Sequence, residues 1–99
     1  MLLPTSSLTF NDSSSLKKVT VTHHEAGFPM TVTFCADCGS ALSKEADAEA
    51  FEGKVIVFAG CLDGPEALQE ISPEAEMWTK YRAGWRGKLG GTRQCVGFE

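Results

Sequence analysis

Two cysteines three positions apart, Cys35 and Cys38 in Phe34-Cys35-Ala36-Asp37-Cys38-Gly39-Ser40, constrain this chain more than any other feature. A Cys-x2-Cys pair on one tight turn presents two thiolates along one edge of a tetrahedron, which is half of a structural zinc site. Gly39 adds the backbone freedom that lets amide N–H groups approach the sulfurs. A closed site needs four ligands. The remaining candidates are Cys61, Cys95, His23 and His24, and none of them stands in a second Cys-x2-Cys or Cys-x-Cys pair. The spacing therefore names Cys35 and Cys38 as metal ligands and leaves the rest of the shell open. It also sets an expectation of geometry, with both sulfurs on adjacent arms of one turn and close enough to share an ion.

At 99 residues the chain is one domain at most, and a chain of that size buries roughly two thirds of its unfolded surface. The apolar share of 42% and charged share of 22% are those of ordinary globular proteins, which disfavours disorder, collagen-like repeats and coiled coils. Only Leu2 and Leu3 precede Pro4, with no basic stretch, and no apolar run approaches the ~20 residues that span a bilayer. The expectation is a soluble, cytoplasmic protein without a membrane partner. Four cysteines could form two disulfides in a secreted mini-domain, but without a secretory leader reduced thiols are the better reading.

The net charge of −4 argues against broad nucleic-acid binding, yet the charge is unevenly placed. No acidic residue occurs from Met77 to Phe98, while Lys80, Arg82, Arg86, Lys88 and Arg93 all fall there. A solvated basic face is the first reading of this stretch; an anion site or partner site is the alternative. Trp78, Tyr81 and Trp85, with Phe58, are expected to fill the core or cover a sheet face, the alternative being a stacking platform for nucleic acid.

Along the chain, Thr5 to Ser15 reads as a short edge strand around Leu8 and Phe10, followed by a turn at Asn11-Asp12. Lys17 to Thr22 alternates with Val19 and Val21 on one side, the two-residue period of a half-buried strand. Met30 to Phe34 resumes alternation directly into the cysteine turn, so the turn sits at a strand end, as in zinc-ribbon-type sites. Ser43 to Glu52, with Glu45, Asp47, Glu49 and Glu52 among alanines, reads as a short surface helix or an acidic loop. Lys54 to Ala59 is a continuous apolar run ended by Gly60 and is the candidate for a central strand buried on both faces. Asp63-Gly64-Pro65 is a turn opening one helical turn, and Glu76 to Tyr81 is a further strand before a glycine-punctuated tail. About six short strands and no long helix result. Cys61 is read as a buried thiol acting as a small apolar residue and Cys95 as an exposed one. His23 and His24 flank a strand end, where alternation would send them to opposite faces.

In this order and at these spacings the features resemble the C-terminal two thirds of a glutathione-dependent formaldehyde-activating enzyme domain, the family that also includes centromere protein V. The residues that carry the resemblance are Phe34-Cys35-x-x-Cys38-Gly39-Ser40-x-Leu42, Val55 through Ala59-Gly60-x-Leu62-Asp63, Ser72-Pro73-x-Ala75-Glu76, Tyr81-Arg82 and Trp85, with the tail Arg93-Gln94-Cys95-x-Gly97-Phe98. It covers Val19 to Glu99. The resemblance implies a mainly β fold known as the β-tent, containing a zinc-ribbon element. It implies two zinc sites, in which the pair matching Cys35 and Cys38 joins an upstream Cys-x-Cys to close a structural zinc. A second upstream cluster, Cys-His-Cys-x-x-Cys, would hold a catalytic zinc. This sequence contains neither cluster, so the expectation is a single, N-terminally incomplete domain.

The implied activity is that of a carbon–sulfur lyase acting between glutathione and formaldehyde, with S-hydroxymethylglutathione as the adduct. The partner implied is a small thiol of the glutathione type. For this chain alone, lacking the catalytic thiolates, inactivity is expected. Two alternatives stay open: a non-catalytic interaction module that dimerises through an exposed edge or a shared zinc, and a truncated fragment.

Overall fold

A computed structural model of the protein describes residues 1–12 and 14–98. Ser13, in the Thr5 to Ser15 segment just after the expected turn, and Glu99, the last residue of the resemblance, lie outside the described residues. The chain forms two compact units, Met1–Gly64 and Pro65–Glu99.

The first unit is an antiparallel sheet of five strands, β1 (Leu2–Pro4), β2 (Leu16–Thr22), β3 (Pro29–Cys35), β4 (Ala41–Ala46) and β5 (Lys54–Val57), in the order β1-β5-β4-β3-β2. Strands β2, β3 and β4 form a meander closed by short turns, and β5 returns to pair with β4. The apolar run of β5 was expected to be central, and it is: β1 pairs on one side of it and β4 on the other, with Val55 only 1% exposed. Thr33 of β3 lies opposite Ser43 of β4, which in turn lies opposite Val57 of β5, so these side chains share a sheet face. Thr33 and Ser43 are both buried, and no buried side-chain N or O among the described residues lacks a hydrogen-bond partner.

Several local expectations are corrected. The first strand is Leu2–Pro4 and not the Thr5 to Ser15 segment, because Leu2 and Leu3 extend the sheet beside Ile56 and Val55. Thr5–Ser7 is a 3-10 turn instead. The turn at Asp12 is present, its Oδ1 accepting from the Ser14 N–H at 2.9 Å. Ser43 to Glu52 is neither helix nor acidic loop over its first part. It belongs to β4, where pairing on both sides outweighs the helical preference of its Ala and Glu residues, and only Glu49–Phe51 makes a 3-10 turn. The strand expected over Lys17 to Thr22 is β2, but it is not half-buried: every residue from Lys17 to Thr22 is exposed, Val19 and Val21 included, on this edge strand of the sheet.

The second unit holds the short helix α1 (Pro65–Glu70) and a parallel pair of two-residue strands, β6 (Ala75–Glu76) and β7 (Arg93–Gln94). The strand expected over Glu76 to Tyr81 stops at Glu76, since Trp78 takes the left-handed conformation (φ 58°, ψ 37°) and Thr79–Tyr81 is a 3-10 turn. The count among the described residues is seven short strands and one six-residue helix, a mainly β protein as expected. None of these helices is long and apolar enough to cross a membrane.

Candidate functional site

Strand β3 ends at Cys35 and β4 begins at Ala41, so the loop between them carries Cys38 and returns within five residues. Two backbone bonds lock it: the Cys35 N–H donates to the Ser40 carbonyl at 2.9 Å, and the Gly39 N–H donates to the Cys35 carbonyl at 2.7 Å. The second bond needs Gly39 at φ +79°, a conformation in which any Cβ is strained. A third bond, from the Ala36 N–H to the Ser15 carbonyl at 2.7 Å, ties the loop to the residue before β2. Both thiols thus belong to one turn fixed by two strands. Cys35 is half-buried and Cys38 exposed.

Cys38 Sγ lies 3.2 Å from Ser40 Oγ. In the ionised form the hydroxyl is the donor. That contact, then the Ser40 backbone N–H and then the Cys35 thiol, hold the Cys38 thiol below its ordinary range, against the opposing effects of desolvation and of the Asp37 charge. A thiolate is the form that binds metals and attacks electrophiles.

The other sequence candidates do not join the pair. Cys61, expected to be buried, is exposed: the 3-10 turn Ala59–Cys61 carries it out of β5, and its thiol donates to the Ala41 carbonyl at 3.4 Å. It therefore stands over the first residue of β4, beside the cysteine turn in the sheet. Cys95, expected to be exposed, is 3% exposed, because its N–H bonds the Glu76 carbonyl at 2.8 Å and pins the tail against β6. His23 and His24 lie beyond the end of β2, so strand alternation no longer applies. Their rings stack at 5.2 Å and 5°, and His23 Nδ1 accepts from the N–H groups of Glu25 and Ala26.

No group of three His, Cys, Asp or Glu side chains among the described residues gathers where it could hold a metal ion. Two thiolates are one short of the three protein ligands of an open catalytic zinc and two short of a closed structural one.

The second unit is organised around a carboxylate. Glu76 Oε2 accepts from Arg82 Nη2 at 2.9 Å, the Leu89 N–H at 3.0 Å and Gln94 Nε2 at 2.8 Å. Arg82 also donates to Gln94 Oε1, and Gln94 Nε2 donates to Thr92 Oγ1 at 2.8 Å. The Leu89 N–H first, then Gln94, with Arg82 and Arg86 adding their charge, hold Glu76 below the ordinary carboxylate range. Arg82, one of the basic residues of the stretch read as a solvated face or an anion site, is thus held by the chain's own carboxylate. Sequence reading missed Glu76 and Gln94 as a pair, because their meeting depends on the β6–β7 ladder. Nor do the exposed Tyr81 and Trp85 fill the core.

A family model described as "Glutathione-dependent formaldehyde-activating enzyme" matches residues 1–81. The match takes in Cys35, Cys38 and Cys61, and the tail from Arg82 onward lies outside it. No curated protein matches the chain, and no solved structure does.

Proposed function

The chain belongs to the glutathione-dependent formaldehyde-activating enzyme family, and from that premise we propose that it is a zinc-binding member in which Cys35 and Cys38 supply half of a tetrahedral thiolate site. The single observation behind this reading is the rigid turn that keeps two thiols together at the β3–β4 junction, one of them with a lowered pKa. The family's reaction is carbon–sulfur lyase chemistry: a thiol sulfur joins the formaldehyde carbon, and the thiol proton goes to the carbonyl oxygen. Zinc, when bound, would stabilise thiolate at neutral pH. Cys35 and Cys38 would hold it, and the Ser40 hydroxyl would turn toward Cys38 to stabilise its charge. With two protein thiolates, the chain alone does not accelerate formation of the glutathione adduct.

The missing half of the shell is supplied most simply by the same two thiols of a second copy, since two-fold symmetry sets identical pairs opposite each other. Metal analysis across a size-exclusion peak tests this. About one zinc per two chains, eluting as a dimer that Cys35→Ser disperses, is the expected result. A monomer retaining one tightly held zinc per chain overturns the shared site. Zinc-dependent adduct formation by the isolated chain, abolished by Cys35→Ser, overturns the inactivity. Absence of zinc binding at any stoichiometry overturns the metal reading itself.

A further inference from the structure

The second unit contains a cavity of about 160 Å³ whose wall includes Glu76, Trp78, Tyr81, Arg82 and Arg86. Its chemistry is distinct from that of the thiol turn. Two guanidinium groups face one carboxylate, so the wall carries one unbalanced positive charge. The pairing shows where that charge sits. Arg82 is held by Glu76 and Gln94, whereas the Arg86 side chain has no hydrogen-bonded partner among the described residues and acts on Glu76 only through space. A guanidinium at a cavity wall with its fork unused is suited to a planar carboxylate, which it can grip through two parallel N–H donors.

Beside these charges the wall carries two aromatic rings, with Met77 and Thr79. Trp78 and Tyr81 stack with centroids 6.3 Å apart, and the Lys80 ammonium lies 5.5 Å and 5.2 Å from the two ring centres, adding a second positive charge beside them. The backbone goes to some length to hold the indole there. Trp78 is the non-glycine residue with positive φ among those described, an unusual conformation for a bulky side chain. It is held by its N–H on the Gly97 carbonyl at 2.9 Å and by the next N–H, of Thr79, on the Cys95 carbonyl at 3.0 Å. Residues kept in such conformations by surrounding bonds cluster at ligand sites.

We propose that this cavity binds a small organic monocarboxylate, its carboxylate on the Arg86 guanidinium and its carbon chain against Trp78 and Tyr81. The volume is below the range of drug-sized pockets, which begins at roughly 300 Å³, and suits a carboxylate carrying a few carbons. Phosphate is disfavoured, because it offers no apolar part to the Trp78 and Tyr81 rings that make up the rest of the contact. The inference rests on residues of the second unit and stands whether or not the thiol pair binds zinc.

The test uses the full chain with Trp85→Phe, which removes an indole that is 88% exposed and leaves Trp78 as the fluorophore. Butyrate is the probe, inorganic phosphate the comparison. Saturable quenching by butyrate, weakened roughly tenfold or more by Arg86→Gln and unchanged by Arg93→Gln, is the expected result. Non-saturating quenching, or saturation undiminished by Arg86→Gln, overturns the proposal, as does saturation by phosphate with none by butyrate. Amide and indole NMR shifts on the unsubstituted chain make the reading independent of any variant's folding. Butyrate-induced shifts centred on Trp78, Tyr81 and Arg86 support the site, and their absence there overturns it.

Discussion

The thiol turn of residues 1–64 and the cavity wall of residues 65–98 are both local constructions that place reactive or charged groups, but they are held by different balances of main chain and side chain. The turn is fixed by main chain: two strands of a five-stranded sheet enter and leave it, and its own two closing bonds are N–H to carbonyl. The cavity wall has main-chain bonds as well, at Trp78 and Thr79, but adds a side-chain hub. Its strands are two residues each, and Glu76 collects donors from Arg82, Leu89 and Gln94 to hold the loop between them. A backbone scaffold spreads its support over many bonds, whereas a side-chain hub concentrates it in one residue. The first should tolerate single substitutions, and the second should fail at its hub.

The sharpest break in that comparison is Glu76→Ala. It leaves the Leu89 N–H, Arg82 and Gln94 without their common acceptor, and an unsatisfied donor costs more than the bond was worth. Hydrogen-exchange protection is expected to vanish at Leu89 and Cys95 while β3, β4 and β5 keep theirs. Acid should imitate the substitution. Because the folded Glu76 pKa is depressed, its contribution is fully present above the ordinary carboxylate value and is lost as pH falls through the folded value. The second unit should therefore loosen below about pH 4.5, the ordinary glutamate value. Equal loss of protection in both units, under either treatment, would show that the two are not independently supported.

The complementary experiment strikes the sheet. Val55 is the most deeply buried side chain among the described residues, and Val55→Ala removes apolar contacts and leaves a small void at a cost of about 2 kcal/mol. Chemical denaturation followed by exchange in β4 and β5 should register that loss, with butyrate quenching of Trp78 unaltered. The thiol turn should survive it, its closing bonds lying at the other end of β4 from the β4–β5 turn.

How much of this was legible in the chain follows the same division. The cysteine turn could be read because its determinants are consecutive: Phe34 through Ser40 spell a strand end, two thiols and a glycine that takes positive φ. The central position of Lys54–Val57 was likewise written in a continuous apolar run. Strand β4 was hidden because its Ala, Lys and Glu residues carry a helical preference that only pairing with β3 and β5 overrides. The Glu76 hub was hidden for a different reason. Its partners are 6, 13 and 18 residues away, and nothing in local pattern announces a contact that depends on a parallel ladder of two-residue strands. The fates of Cys61 and Cys95 were reversed by the same blindness, since a 3-10 turn ejects the one and a backbone bond to Glu76 draws in the other.

The smallest expected effect probes a side chain at the corner of the backbone-built unit. Ser40 stands at the end of the thiol turn with its hydroxyl 3.2 Å from Cys38 Sγ, and it is the largest influence lowering that thiol's pKa. Ser40→Ala keeps both backbone bonds of the turn, so the turn should persist, but the thiolate loses its nearest donor. The sign is definite: with the pKa moved upward, the thiolate fraction at a pH below it falls, and alkylation slows. In metal-free protein at pH 8 the rate of Cys38 modification by iodoacetamide should drop roughly two- to threefold, converging on the unsubstituted rate at higher pH where both thiols are ionised. Cys61, whose thiol faces the Ala41 carbonyl and not Ser40, serves as the control in the same sample and should be unchanged. A parallel slowing at Cys61 would mean that the substitution has disturbed the β3–β4 turn as a whole, and that this corner, too, depends on a side chain for its shape.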